Sequence, residues 1–197
     1  MKSRGKSTAV VENNQSRIVK AAIACFEKYG PAKTTMEDIA DAAGLARKTV
    51  YRTFSNRTAL LDTIAVQRTI ESVGKVKPIV DSSKSLDEAI VKGTIKSCRV
   101  MRDDKLFMSI VEEANDRGVE QYLVDPSSPV LKSMLMVWKD AFTKARVRGE
   151  LRKDIGDAEL ANWLRGVHLL LLLREDLNAK GQEALLRKFV LPALKRA

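Results

Sequence analysis

The sequence predicts an all-helical protein, and three observations support this. Glycine and proline are scarce, at 10 and 5 of 197 residues, which argues against a turn-rich sheet fold. Aromatic residues make up 5% of the chain and charged residues 30%, a composition that favours helices. Apolar residues recur at helical spacing, and no segment alternates as a strand does. The length allows one large or two small domains that need no disulfide to fold.

The cysteine and histidine content excludes several classes of protein. Cys25 and Cys98 are too few for a secreted disulfide framework, so we expect a reducing, cytoplasmic location. The longest apolar run, 169–173, is far below the roughly 18–20 residues of a membrane span. His168 is the one histidine and cannot form a two-histidine metal site. No dinucleotide fingerprint is present, and we predict no metal and no cofactor.

The basic charge is concentrated near the N-terminus. The net charge is +10, and residues 1–74 hold 12 basic and 7 acidic residues, a net of +5 in little more than a third of the chain. No acid lies between Asp41 and Asp62. Such a cluster favours a polyanionic partner. The basic residues inside this gap are Arg47, Lys48, Arg52 and Arg57.

The N-terminal elements are predicted as an arm and three short helices. Residues 1–15 are polar and predict a flexible basic arm, and a helix follows from residue 16 to Gly30. Thr35 is the expected N-cap of the next helix, with Asp38 closing a capping-box-like pair. That helix ends at Gly44. A third helix is expected over residues 47–54.

A fourth, longer helix should be capped by Ser55 or Asn56 and run to about Val73. Residues 74–83, with Pro78, predict a connector. We therefore expect an N-terminal domain over 16–74 and a second helical domain over 75–197. Helices of the second domain are predicted at about 85–101, 104–115, 129–148 and 157–177, with a last helix after Gly181 that Pro192 kinks or ends.

Two short helices joined at a glycine, with a helix packed behind them, predict a helix-turn-helix. In the third helix, Val50 and Phe54 share one face and should pack inward. The opposite face presents groups that can meet base edges or phosphate oxygens, with a phenol on its flank. These residues are Lys48, Thr49, Arg52 and Tyr51. On charge alone, an ordinary solvated face explains the pattern equally well.

The stretch from about 16 to 64 resembles the DNA-binding domain of TetR-family transcriptional regulators. Residues 34–54 read TTMEDIADAAGLARKTVYRTF, and residues 55–61 continue with SNRTALL. The resemblance implies that the third helix docks in the DNA major groove. It departs from the family at Ala46, often serine, at Lys48, often glycine, and at Arg57, usually lysine. The DNA-contacting residues it implies are Thr35, Ala46, Arg47, Lys48, Thr49, Tyr51, Arg52 and Arg57.

The resemblance also implies a homodimer whose last two helices in each subunit form a four-helix interface. Dense apolar rows in these segments fit that expectation, and a single buried helix in a monomer is the alternative. The predicted interface residues are Leu160, Trp163, Leu164, Val167, Leu171, Leu186, Phe189 and Val190.

Members of the family commonly bind a small molecule inside the second domain. Methionine, aromatic and histidine residues at helical spacing are candidates for such a pocket here, and ordinary core packing explains them as well. The candidate pocket residues are Met101, Met108, Val111, Met134, Trp138, Phe142 and His168.

We therefore expect a homodimeric transcriptional regulator, a repressor that an unidentified small-molecule effector releases from a double-stranded DNA operator. An enzyme is the first alternative, but the sequence contains neither a Gly-x-Ser-x-Gly nucleophile elbow nor a motif of paired carboxylates. The second alternative is a helical DNA-binding module without an effector.

Overall fold

Every regular element in the described part of the chain is helical, as the sequence predicts. The structure is a computed structural model and describes residues 4–114, 132 and 135–195, with backbone alone at 4–13 and 114. The helices are α1 Arg4–Tyr29, α2 Met36–Ala43, α3 Arg47–Thr53, α4 Arg57–Asp81, α5 Leu86–Asp103, α6 Lys105–Ala114, α7 Lys139–Val147, α8 Asp157–Leu173, α9 Ala179–Leu185 and α10 Leu191–Leu194. A 3-10 turn, Pro31–Lys33, follows α1, and a π-helical turn, Leu186–Val190, joins α9 to α10.

Contacts between Cα atoms divide the chain into two compact units. The first unit comprises residues 1–65 and 106–116, and the second comprises 66–105 and 117–197. The predicted boundary after residue 74 therefore differs from this division. The predicted connector over 74–83 is also wrong for most of its length, because α4 continues to Asp81. Val76 and Val80 are buried in the core of the second unit and hold this part of the helix despite Pro78.

The first unit is built around the inner face of α1. Buried apolar side chains from α1, α2, α3, the start of α4 and α6 fill this unit. They include Ile18, Ala22, Phe26, Ile39, Val50, Phe54, Leu60, Ile64, Ile110 and Val111. α1 begins at Arg4, so the prediction of a separate arm over residues 1–15 is corrected. After Gly5 the sequence has no glycine or proline before Gly30, and nothing in it stops the helix.

The second unit has its own apolar core, formed by α5, α7, α8 and the C-terminal helices with the end of α4. Its largest fully buried side chains include Ile90, Leu86, Phe142, Leu164 and Leu171. No helix in the described ranges is long and apolar enough to cross a membrane.

Several helix ends in the second unit differ from the prediction. α8 stops at Leu173, four residues early, and α9 starts at Ala179. Gly181 lies inside the first turn of α9, where its N–H donates to the Asn178 side chain at 3.0 Å. Asn178 is therefore the N-cap, a role that the sequence analysis overlooked. The predicted helix start at residue 129 lies outside the described residues.

Candidate nucleic-acid interface

A capping box fixes the start of α2. The Thr35 hydroxyl accepts from the Asp38 N–H at 3.1 Å, and the Thr35 N–H donates to Asp38 Oδ2 at 2.8 Å. This confirms the predicted pair. The hydrogen bonds from the Thr35 backbone and hydroxyl hold the pKa of Asp38 below its ordinary value. The Thr35 hydroxyl also donates to Asp38 at 2.7 Å, so its own proton is already engaged.

The turn between α2 and α3 depends on Gly44 and on an arginine from α1. Gly44 has φ 61° and ψ 39°, a left-handed conformation that glycine adopts without strain. Arg17 Nη2 donates to the Ala43 carbonyl at 2.7 Å. The positive charge of Arg17 also interacts favourably with the negative C-terminal end of the α2 helix dipole. α1 therefore positions the turn from which α3 starts.

α3 is fixed to the first unit by its apolar face. Val50 is 0% exposed and Phe54 5% exposed, as the sequence predicts. Ala46, the N-cap residue, makes no side-chain capping bond. The Thr53 hydroxyl donates to the Thr49 carbonyl at 2.9 Å, so it bonds within the helix itself. These contacts leave the opposite side of α3 to solvent.

Three side chains, Lys48, Tyr51 and Arg52, define the recognition face of α3. All three are exposed, and Tyr51 keeps 44% of its surface. Lys48 and Arg52 are one turn apart and lie on the same side. Neither forms an ion pair with any acid among the described residues, whereas Arg47 approaches Glu37 at 3.7 Å. Thr49 is only partly exposed.

Arg57 is placed differently from the expectation that it faces a DNA phosphate. Its Nη2 donates to the Pro31 carbonyl and lies 3.3 Å from Glu113 Oε1. Its guanidinium carbon lies 5.8 Å from the centre of the Phe26 ring. The side chain is 27% exposed. Because its charge already has partners within the first unit, we expect Arg57 to stabilise this unit rather than to contact DNA.

Arg57 and Glu113 form a link that the sequence analysis missed. Glu113 lies on α6, 56 positions further along the chain, and no local spacing relates the two residues. The link explains why a cation is tolerated in the first turn of α4, where it opposes the helix dipole. Arg57 joins α1, the 3-10 turn, α4 and α6.

Residues 18–64 match the family model described as bacterial regulatory proteins, tetR family. Over this segment the chain is similar to the tetR family of bacterial regulatory proteins. This confirms the resemblance drawn from residues 16–64. The matched segment contains α2, the Gly44 turn, α3 and the first part of α4.

Bacterial transcriptional regulators are similar to parts of this chain. The probable acrEF/envCD operon repressor of Escherichia coli K12 is 37% identical over 68 residues, which are 34% of this chain and 30% of that protein. An uncharacterized HTH-type transcriptional regulator of Mycobacterium bovis is 30% identical over 95 residues, 48% of each chain. The chain thus spans less than half the length of these relatives. SrpR of Pseudomonas putida is 24% identical over 94% of this chain and 85% of its own.

Solved structures share the fold over nearly the whole chain. The TetR-family repressor QsdR of R. erythropolis matches with a TM-score of 0.66 and 19% identity, covering 94% of this chain and 97% of its own. A SmeT–triclosan complex matches with a TM-score of 0.57 and 21% identity, covering 93% and 92%. At these identities the likeness establishes the fold.

The candidate pocket residues fall in both units. Met108 and Val111 belong to the first unit, and Met134 lies outside the described residues. The second unit contains the remaining four, all buried: Met101, Trp138, Phe142 and His168. The Trp138 ring centre is 6.4 Å from that of Phe142 and 6.4 Å from that of His168.

Most of the predicted dimer residues pack inside one copy of the chain. Trp163 is 41% exposed and Phe189 64% exposed, and Val167 is partly buried. The other five belong to the core of the second unit, so their assignment to a subunit interface is corrected: Leu160, Leu164, Leu171, Leu186 and Val190. Helical periodicity marks both faces of α8 as apolar and does not tell core from surface.

Two buried titratable groups of the second unit, His168 and Cys98, are held uncharged. Burial lowers the pKa of His168 to about 4 and raises the pKa of the Cys98 thiol to about 12. A thiol with so high a pKa stays protonated and is a poor nucleophile. Among the described residues, no group of three or more histidine, cysteine or acidic side chains is placed to hold a metal ion.

Proposed function

We propose that this protein is a homodimeric transcriptional regulator, a repressor that binds a DNA operator and is released from it by a small-molecule effector. The exposed recognition face of α3 carries the proposal. It presents an ammonium, a guanidinium and a phenol outward on a helix fixed by Val50 and Phe54. In a helix-turn-helix this helix enters the major groove, where lysine and arginine can bond guanine edges and phosphates.

The chemistry of the recognition face assigns each side chain a role. Lys48 and Arg52 are free of acids within the described residues, so binding to DNA would break no ion pair. Lys48 lies in the first turn of α3, the part of a recognition helix that contacts base edges. Tyr51 can offer its hydroxyl to a phosphate while its ring packs against α3. Further candidates for contacts with DNA are the remaining predicted residues beside this face: Thr35, Ala46, Arg47 and Thr49.

Lys48→Ala is expected to weaken binding to the preferred duplex by tenfold or more and to relax its base preference. The removed ammonium is an exposed cation at the reading end of α3. Duplexes are first selected from a random library with the wild-type protein, and affinity is then measured by fluorescence anisotropy at 50, 100 and 200 mM KCl. Wild-type affinity should fall steeply with salt because phosphate contacts release counterions.

Lys153→Ala is the matched control for this experiment. Lys153 is also an exposed lysine, but it lies in the second unit before α8. This variant should bind DNA with unchanged affinity and preference. A wild-type complex insensitive to salt, or equal losses in the two variants, would contradict the assignment of the recognition face.

An apolar stripe on α8 supports the homodimer. Trp163, Leu170 and Leu173 are 41%, 50% and 51% exposed, and Gly166 lies between them on the same side of the helix. These four residues form the α8 stripe. Contiguous exposed apolar surface on a helix marks a contact site. A second copy of the chain is the occupant that reading two operator half-sites requires, and a twofold contact buries the same stripe of each copy.

Leu170→Glu is expected to convert the dimer into monomers at micromolar concentration, because it places a charge in the middle of the α8 stripe. Val147→Glu is the control, since Val147 on α7 is 84% exposed and lies outside the stripe. Sedimentation velocity measures both. A monomeric wild-type protein, or a Leu170→Glu variant that remains dimeric, would remove α8 from the interface.

Effector binding is the third part of the proposal. One structural neighbour is a complex of SmeT with triclosan, and we extend ligand binding to this chain by that likeness of fold. Buried aromatic side chains around Trp138 in the second unit supply an apolar environment for such a ligand.

A further inference from the structure

A groove in the second unit combines apolar and basic side chains. Its volume is about 600 Å³, and small-molecule sites typically measure roughly 300–1,000 Å³. The lining residues come from the end of α4, from one face of α5, and from α9 with the π-helical turn that follows it. All of them belong to the second unit. We call this feature the α5 groove.

Three aliphatic side chains give the α5 groove an apolar wall. Val91 is buried, and Ile95 and Ile79 are partly buried. Val91 and Ile95 are one turn apart on α5, so their side chains lie on the same side of the helix. An aliphatic chain placed against this wall would remove apolar surface from water, which is favourable.

Four basic side chains line the same groove. Lys92, Lys96 and Arg99 follow one another at helical spacing on α5, and Arg187 comes from the π-helical turn. Like charges at this spacing repel each other along a helix. The groove therefore concentrates positive charge beside its apolar wall.

The two acids that also line the α5 groove already have basic partners. Glu88 accepts from the Lys92 ammonium, and it accepts from the Lys84 N–H at 2.8 Å. Glu183 accepts from Arg187 Nε at 2.8 Å. Four basic and two acidic side chains give the described lining a net charge of +2.

Lys96 is the basic residue of the groove whose ammonium meets no acid in the described part of the chain. It is partly buried. Arg99 approaches Asp103 at 3.8 Å, so the remaining cation of the groove also faces an acid. A partly buried ammonium without a counter-charge costs free energy that an incoming anion can recover.

We infer that the α5 groove binds an aliphatic monocarboxylate, with its chain against Val91 and Ile95 and its carboxylate on the Lys96 ammonium. Within the described ranges Lys96 has no ion pair to lose, and one ammonium matches one negative charge. The two carboxylates in the same groove disfavour a ligand with several negative charges. This site is distinct from the buried aromatic environment proposed for the effector, so the inference goes beyond the proposed function.

The test compares octanoate with 1-octanol, which has the same chain length and no charge. Isothermal titration calorimetry with the full chain at pH 7 should give binding of octanoate that is tighter than that of 1-octanol by about tenfold or more. Acetate, which has the carboxylate without the chain, should bind as weakly as 1-octanol or more weakly, because the apolar contact is missing. The preference for octanoate should decrease with added salt.

Lys96→Gln should reduce the preference for octanoate over 1-octanol by about fivefold or more and leave the affinity for 1-octanol within about twofold. Lys96→Arg keeps the charge and should retain most of the preference. Neither variant should lower the melting temperature of the free protein, because Lys96 makes no ion pair with the described residues.

Lys139→Gln is the matched control variant. Lys139 on α7 is an exposed lysine of the second unit that forms no ion pair with the described residues and does not line the α5 groove. The change removes the same charge from the same unit. It should leave the affinity for octanoate and the preference over 1-octanol unchanged.

Each of four results would overturn the inference. The wild-type protein does not bind octanoate, it binds octanoate and 1-octanol equally, or its preference persists in Lys96→Gln, which would place the ligand elsewhere. Tighter binding of octyl phosphate than of octanoate would replace the monocarboxylate by a phosphate ester. Failure here is separable from failure of the proposed function, because DNA binding by the recognition face is measured without octanoate.

Discussion

Replacing Arg57 with alanine is expected to lower the free energy of unfolding by about 2 kcal/mol. The change removes a charge-assisted bond to the Pro31 carbonyl and the ion pair with Glu113. It also leaves Glu113, which is 33% exposed, without this cation. Urea unfolding followed by circular dichroism measures the loss. Arg57→Lys should restore only part of it, because an ammonium lacks the planar fork that reaches two partners.

The same variant distinguishes a structural arginine from a phosphate contact. A residue that binds a DNA phosphate would, when removed, reduce the salt dependence of binding by about one unit of slope. For Arg57→Ala we expect an unchanged slope together with reduced stability. Glu113→Gln should also destabilise the protein, since it weakens the same link from α6. If Arg57→Ala were fully stable but showed a weaker salt dependence of DNA binding, Arg57 would be a phosphate contact instead.

Acidification from pH 7.5 to pH 5 is expected to cost the protein about 2 kcal/mol of stability through His168 alone. Burial lowers the pKa of this imidazole from 6.5 to about 4 in the folded chain. Between these values the unfolded chain binds the proton more readily than the folded chain. The stability is therefore complete above pH 6.5, falls as the pH drops through this window, and is fully lost below about pH 4.

His168→Gln serves as the comparison for this pH dependence. The chain has one histidine, so the difference between wild type and variant isolates its titration. Carboxylates with lowered pKa values, such as Asp38 and Asp154, stay ionised at pH 5 and do not interfere. Urea unfolding at several pH values should show a slope in the wild-type protein that the variant lacks. Equal slopes would mean that His168 is accessible to protons in the folded state.

Local chemistry made the helix-turn-helix predictable from sequence. Thr35 and Asp38 are three residues apart, Gly44 supplies the left-handed turn, and Val50 and Phe54 share a face, so short spacings contain the information. Such features need no knowledge of distant parts of the chain.

Contacts between residues far apart in the sequence explain why the predictions for Arg57, the connector and α8 differ from the structure. The partner of Arg57 is on α6, and nothing near Arg57 indicates it. α4 crosses the predicted connector because Val76 and Val80 are buried in the second unit. On α8, leucines line both sides of the helix, and only their burial in the fold separates Leu164 from Leu170.

The close approach of Gly93 to Val80 and Trp138 links three positions that are far apart in the sequence. A methyl group at residue 93 would lie 2.6 Å from Val80 Cγ2 and 2.9 Å from the indole, too close for either neighbour to stay in place. The side chains at 80 and 138 thus both require a glycine at 93, and a smaller residue at 138 alone would leave the clash with Val80. In diverging sequences the three positions should therefore change in a correlated way.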